Sequence, residues 1–256
     1  MDIKGKTALV TGGGVRVGKA ITLALAGAGA NVVINYSRSA KEAEETAAEA
    51  ATLGVGALAV KADIGDPEQV ARMVAQANER FGGVDLLVNS ASLWAQSPMP
   101  MKDVSMWRRI ISVALDGAFY CSNAVAPYML AKGEGAIVNI VDLSAWEPWP
   151  NYGAHSVAKA GLMALTRQLA LELAPAVRVN AIAPGPVLPP LDYSPAKVER
   201  TAQKTLVGRW GKPDDIARAV LFLFQAEDLL QQSQVLKQAM AKADYWLAGK
   251  PAEHPG

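Results

Sequence analysis

The sequence predicts an α/β fold: a Rossmann-type doubly wound parallel sheet with helices on both faces and an atypical, helical C-terminus. Three observations carry that expectation. Short apolar runs rich in β-branched residues alternate with longer helical patterns, which is the mark of βαβ units. A glycine-rich turn, "VTGGGVRVGKA", falls between the first strand pattern and the first helix pattern. The chain has 256 residues, 51% of them hydrophobic, with no linker, repeat or low-complexity block, so it is long enough for one large core.

Six strands are expected, at "KTALVTG" (6–12), "NVVINY" (31–36), "GALAVKAD" (56–63), "VDLLVNS" (84–90), "GAIVNIVD" (135–142) and "VRVNAIAP" (177–184). Helices are expected between them at about 17–28, 39–53, 67–81, 103–131 with an internal bend, 153–174 and 213–224. Pro67 and Pro213 suit helix starts, where a missing amide hydrogen is harmless. Right-handed crossovers bring the loops after the strands to one carboxyl edge, where ligands bind. The site is therefore expected near 12–18, 36–39, 63, 89–94, 142–155 and 184–194.

Lys+Arg 25 against Asp+Glu 24 gives a formal charge of +1. A nucleic-acid or membrane partner lacks the basic field it would need, which leaves a small-molecule substrate. The N-terminus enters a strand within a few residues, without the apolar core of a signal peptide, and no run approaches about 18 apolar residues. With a single cysteine, Cys121, in a small and apolar helical pattern, a cytoplasmic setting and a buried thiol are expected. Two histidines and no Cys/His cluster give no metal site.

In the first turn, Gly12, Gly13 and Gly14 allow backbone forms closed to other residues, Gly18 lets helix and strand approach, and the helix start offers free amides to a pyrophosphate. The carboxylate that would hold a ribose 2′-hydroxyl is missing after the second strand. "NYSRS" puts Arg38 and Ser39 there instead, a cation and a hydroxyl suited to a 2′-phosphate, so NADP(H) is expected over NAD(H). The plainer alternative makes Arg38 a solvated charge and Ser39 a helix cap.

These residues, with "KADI", "NSAS", "AHSVAKAG" and "VRVNAIAPG", resemble the short-chain dehydrogenase/reductase family from the start to about residue 228. Arg16 in place of the turn's usual middle glycine, with "NYSRS" and Asp142, is similar to the pteridine reductase branch. The resemblance implies a cofactor set of Gly12, Gly14, Arg16, Val17, Gly18, Tyr36, Arg38, Ser39, Asp63, Ile64, Asn89, Ser90, Ala91, Lys159, Pro184, Gly185 and Val187. It implies substrate contacts from Arg16, Ser92 and Trp94, with Trp94 stacking on a pterin, and Trp146 joins that substrate set as an aromatic of the loop beside the expected nicotinamide position. Core packing is the alternative for Trp94. Trp146, Trp149 and Tyr152 suit a planar ligand, a subunit contact or a cover over the core equally well.

The family reduces a carbonyl or imine with hydride from the nicotinamide and a proton from a tyrosine, aided by a lysine four residues later, a serine thirteen residues earlier and an asparagine in a preceding helix. Lys159 matches the lysine. The other three positions hold His155, Asp142 and Ala114. An imidazolium can give up a proton near neutral pH, and an adjacent carboxylate favours its charged form. An Asp142–His155 relay is one reading of the catalytic set. Loss of proton chemistry, leaving a silent NADP(H)-binding protein, is another, and takeover by Tyr152, on nearly the same helix face, is a third.

After "WGKPDDIARAVLFLF" the family's last strand and Asp-Gly-Gly end are missing. Leu229, Leu236, Met240, Ala243 and Leu247 are spaced for an amphipathic helix, so 229–256 is expected to be a divergent, helical segment following a domain at 1–228. Homo-oligomer contacts built from that last strand are left open. The reading is an NADP(H)-dependent oxidoreductase acting on a pterin-like or other planar carbonyl or imine compound.

Overall fold

The computed structural model describes residues 1–190 and 193–226, together with the backbone of 235–238. The elements run β1 (Thr7–Val10), α1 (Arg16–Gly27), β2 (Asn31–Tyr36), α2 (Ala40–Ala51), β3 (Ala57–Lys61), α3 (Pro67–Phe81), β4 (Leu86–Asn89), α4 (Ser105–Ile111), α5 (Gly117–Lys132), β5 (Gly135–Ile140), α6 (Gly153–Leu173), β6 (Val177–Pro184), α7 (Pro195–Gln203), α8 (Pro213–Gln225) and β7 (Val235–Gln238). Among the described residues the strands form one parallel sheet in the order β3-β2-β1-β4-β5-β6-β7. The order reverses between β1 and β4, and the crevice for a ligand opens at the carboxyl ends there.

Side chains that alternate along each strand divide the core. Ala8 and Val10 of β1 pack with Ile21 and Leu25 of α1 and with Ile216, Val220 and Phe224 of α8. Leu9 faces the other way, into Met73 of α3 and Cys121, Val125 and Met129 of α5. Both faces are thus covered, as a parallel sheet requires. Burial pushes the Cys121 thiol up to about 12, so it is a packing group and not a thiolate.

The six expected strands and six expected helices are all present. Asp66 caps α3 by accepting from the amides of Glu68 and Gln69, with Pro67 at the first helical position. The bend expected in 103–131 is a π-helical turn, Ser112–Asp116, between α4 and α5. The run Ser105–Lys132 is, by length and hydropathy, apolar enough to cross a membrane, contrary to the sequence expectation. Its Ile110, Ala114, Cys121, Val125 and Met129 are all buried within the domain.

Two expectations are corrected. The segment 195–203, where no helix is expected from the sequence, is the helix α7, which starts at Pro195 behind the Ser194 cap. The C-terminal segment, read as helix, contains β7, whose backbone pairs in parallel with β6 from Ala181↔Val235 to Pro184↔Gln238. Leu236 is thus in a strand, because the open edge of β6 supplies hydrogen-bond partners that residue spacing cannot reveal. Leu229, Met240, Ala243 and Leu247 lie outside the described residues.

Candidate active site

A cleft of about 550 Å³ opens at the carboxyl ends of β1, β2, β3 and β4. Its floor is the first turn. Gly12 has φ +65°, a conformation that favours glycine, and a Cβ on Gly18 would stand 2.1 Å from the Gly12 carbonyl oxygen. Thr11 ties the turn to the end of β4, because its Oγ1 accepts from the amides of Ser90 and Ala91 at 3.0 Å each. Val15, which precedes α1, gives no side-chain cap, and the first turn of the helix holds no acidic residue. Its free amides and positive dipole end are therefore available to a phosphate.

Of the cofactor set, Gly12, Gly14, Arg16, Val17, Gly18, Tyr36, Arg38, Ser39, Asp63, Ile64, Ser90 and Ala91 line this cleft, and so does Ser92. Ser39 stands at the N-cap of α2 without a side-chain capping bond, so the cap alternative is not realised by its hydroxyl. Asp63 is paired with Arg109 of α4 at 2.8 Å. Arg109, Met106 and Val113 also line the cleft and were not read from the sequence, where helical charges and apolar residues give no sign of which face meets a ligand.

Asn89 turns away from the cleft. Its Nδ2 donates to Asn139 Oδ1 at 2.9 Å and to Ser122 Oγ at 3.1 Å inside the sheet, and Asn139 donates on to Thr166 Oγ1. Pro184 and Gly185 lie at the end of β6, while Val187 is buried in the core beside α1 and α8. Arg16, at φ +52°, donates from Nη2 to the carbonyls of Leu188 and Pro189, so it straps the first turn to the loop after β6.

The second half of the site is built from side chains. Asp142 follows β5, and Oδ1 accepts from the Ser144 amide at 2.9 Å, which closes the short turn Leu143–Ala145. Oδ2 lies 2.6 Å from His155 Nε2. Burial alone would raise the Asp142 carboxyl, but the His155 hydrogen bond, the Lys159 charge and the Ser144 bonds outweigh it and hold Asp142 below its ordinary value. An ionised carboxylate only accepts, so the shared proton sits on His155 Nε2. Nδ1 is then the uncommitted ring nitrogen, and it is buried without a partner.

Lys159, one turn further along α6, is buried and donates from Nζ to the Ile140 carbonyl at 2.7 Å. Burial lowers its pKa, and Asp142 opposes that shift. Ala114, at the expected asparagine position, sits in the π-helical turn and packs against Ala154 and Ala158, so the bend is present without a side chain that could hold water.

Trp94 stacks on Tyr152 with ring centroids 4.4 Å apart and meets His155 edge-on at 5.0 Å. Trp149 lies nearly parallel to the imidazole at 6.1 Å. Trp146 follows the Leu143–Ala145 turn and is half-exposed. The structure thus gathers Asp142, His155, Tyr152 and Trp94 at one point, with Lys159 behind them. Trp149, whose role the sequence leaves open, packs against both Trp94 and His155.

Family comparison matches residues 14–236 to the profile described as enoyl-(acyl carrier protein) reductase. A Picea abies protein described as a short-chain type dehydrogenase/reductase is 35% identical over 245 residues, 91% of this chain and 90% of its own length. The chain belongs to the short-chain dehydrogenase/reductase family. This reductase fold is shared with a 3beta-hydroxysteroid dehydrogenase 1 of Eggerthella lenta, 36% identical over 87% of each chain. Among solved structures, a FolM alternative dihydrofolate reductase 1 from Brucella canis, complexed with NADP, superposes with a TM-score of 0.86 at 33% identity, over 93% of this chain and 95% of that one. An NAD+-bound xylitol dehydrogenase gives the same TM-score at 28% identity, over 94% and 100%. Family membership makes the chain an oxidoreductase that uses a nicotinamide cofactor, and the uncapped α1 start and glycine floor fit such a dinucleotide.

Proposed function

We propose that this short-chain reductase is NADP(H)-dependent and reduces a planar carbonyl or imine compound, with His155 as proton donor. The observation that carries the reading is the 2.6 Å His155–Asp142 contact, which commits Nε2 and leaves Nδ1 facing no other partner. When bound, the cofactor supplies a hydride. His155, protonated on both nitrogens, gives its Nδ1 proton to the oxygen or nitrogen that receives charge, and Asp142 stabilises the imidazolium while it waits. Asp142 also fixes the ring's orientation, so the neutral imidazole left behind keeps its proton on Nε2 and presents a bare Nδ1 for reprotonation. Lys159 sets the field behind the pair.

Preference for the 2′-phosphate rests on charge. Among the charged residues lining the cleft, Asp63 is neutralised by Arg109, which leaves Arg16 and Arg38 as surplus cations. Tyr36, Ser37, Arg38 and Ser39 line the end of β2 without a carboxylate to repel a phosphate. The similarity to an NADP complex is compatible with this, and the pterin-like substrate rests on the resemblance in Arg16 and Ser92 and on the aromatic Trp94–Tyr152 stack.

The test is consumption of NADPH and NADH by purified protein against dihydropterins, quinones and simple ketones. Turnover with NADPH, lost in His155→Ala, is the expected result. Tight NADPH binding with no turnover by any of these compounds would favour a silent nucleotide-binding protein, and NADH used as well as NADPH would remove the 2′-phosphate assignment.

A further inference from the structure

The proton port on His155 is shut. The residue is 3% exposed, its Nδ1 meets neither solvent nor a partner, and the cleft ends at Ser92 and Leu93 without His155 among its walls. Two indoles enclose the imidazole, and they are anchored differently. Trp149 is tied to the start of α6: its amide donates to Ser156 Oγ and its carbonyl accepts from the Tyr152 amide at 3.1 Å.

Trp94 sits in irregular chain at 91–96 and is 40% exposed. Both ends of that stretch are fixed. Ala91 is held by Thr11 Oγ1, and Ser97 donates its amide to the Asn151 carbonyl at 2.7 Å while its Oγ accepts from the Ala154 amide at 2.9 Å. Between those pins, the ring contacts that hold Trp94 are the stack on Tyr152 and edge contacts with Trp149 and His155. Leu93 and Ala95 on either side pack against the buried cluster of Ile110, Ala114, Ala154 and Ala158, so the part that can turn out is the half-exposed Trp94 side chain, whose ring meets the edge of the imidazole with the buried, unsatisfied Nδ1.

We propose that Tyr152 is the platform on which the substrate's flat ring stacks, that Trp94 fills that platform when no substrate is bound, and that exchange of indole for substrate ring opens Nδ1. The functional meaning rests on the proton role proposed for His155. The exchange itself does not. It narrows the substrate class to flat aromatic rings of about indole size with the reducible group at an edge, because an aliphatic ketone cannot replace a stacked aromatic pair.

Diethyl pyrocarbonate acylates accessible neutral imidazole, so labelling rates compared at the alkaline end of a pH series, where any imidazolium has lost its second proton, test the indole wall without any turnover. Peptide mass spectrometry separates His155 from His254, and free N-acetylhistidine in the same solution sets the reference rate. His155 in the unmodified protein is expected to react about tenfold or more slowly than the reference. Trp94→Gly is expected to react near the reference rate, and free indole is expected to restore protection in that variant. In Trp94→Gly/Tyr152→Ala, indole is expected to do nothing. Trp94→Phe keeps a ring on the platform and is expected to stay protected; Trp94→Leu carries the test if the glycine variant fails to fold. Reaction at the reference rate in the unmodified protein, continued protection in a folded Trp94→Gly, or no effect of indole on that variant would each overturn the proposal. Absence of NADPH turnover would remove the reductase reading and leave these labelling results standing.

Discussion

At the glycine-floored end of the site the chain works with backbone, whereas at the His155 end it works with side chains. The first end is an open cleft whose floor is set by the positive φ of Gly12, the close pass of Gly18 and the uncapped start of α1. The second is closed, and its geometry depends on Asp142, His155, Trp94, Trp149 and Tyr152 gripping one another. A backbone cradle depends little on side-chain identity, while side-chain clusters are free to change, and the proposed proton donor, His155, stands where the family resemblance leads one to expect a tyrosine.

The largest effects should separate the two ends. Gly18→Ala places a Cβ against the Gly12 carbonyl, so it is expected to cost about 3 kcal/mol or more in urea unfolding and to abolish cofactor binding. His155→Ala should lower turnover by about 10²–10⁴-fold while the NADPH Kd, read by fluorescence titration, stays unchanged. Loss of both together would break the division into two independent ends.

Arg38→Ala should weaken NADPH by roughly tenfold or more, the worth of one charge-assisted bond, and leave NADH binding unaltered. The smallest effect is one of pH. The folded Asp142 carboxyl is depressed below its ordinary value of 3.8, so its stabilisation is present above that value and is lost as pH falls through the lower folded value. The gap in Tm between the unmodified protein and Asp142→Asn should therefore narrow in acid below about pH 4. A gap that widens in acid would contradict the carboxylate assignment.

The same division governs what the sequence disclosed. Gly12, Gly18, Arg38 and Ser39 were legible because turn chemistry is local, and their spacing to the flanking strands fixes where they go. Asp142 and His155 were legible as a pair only through the resemblance, whose thirteen-residue offset joins a strand end to a helix. The stack of Trp94 on Tyr152 and the pairing of Asp63 with Arg109 join residues far apart in the chain, and no period or motif encodes such contacts. Helix α7 was hidden by its proline-dense surroundings. Strand β7 was misread because a four-residue strand is defined by the β6 edge it meets, while apolar residues spaced three to seven apart imitate a helix.

The most direct measurement is single-turnover NADPH oxidation by the unmodified protein and by His155→Ala, with a planar aromatic carbonyl or imine compound that supports turnover and with NADPH affinity measured in parallel. A fall of about a thousandfold in rate at unchanged affinity is the expected result. Equal rates in the two proteins would show that the proton comes from elsewhere.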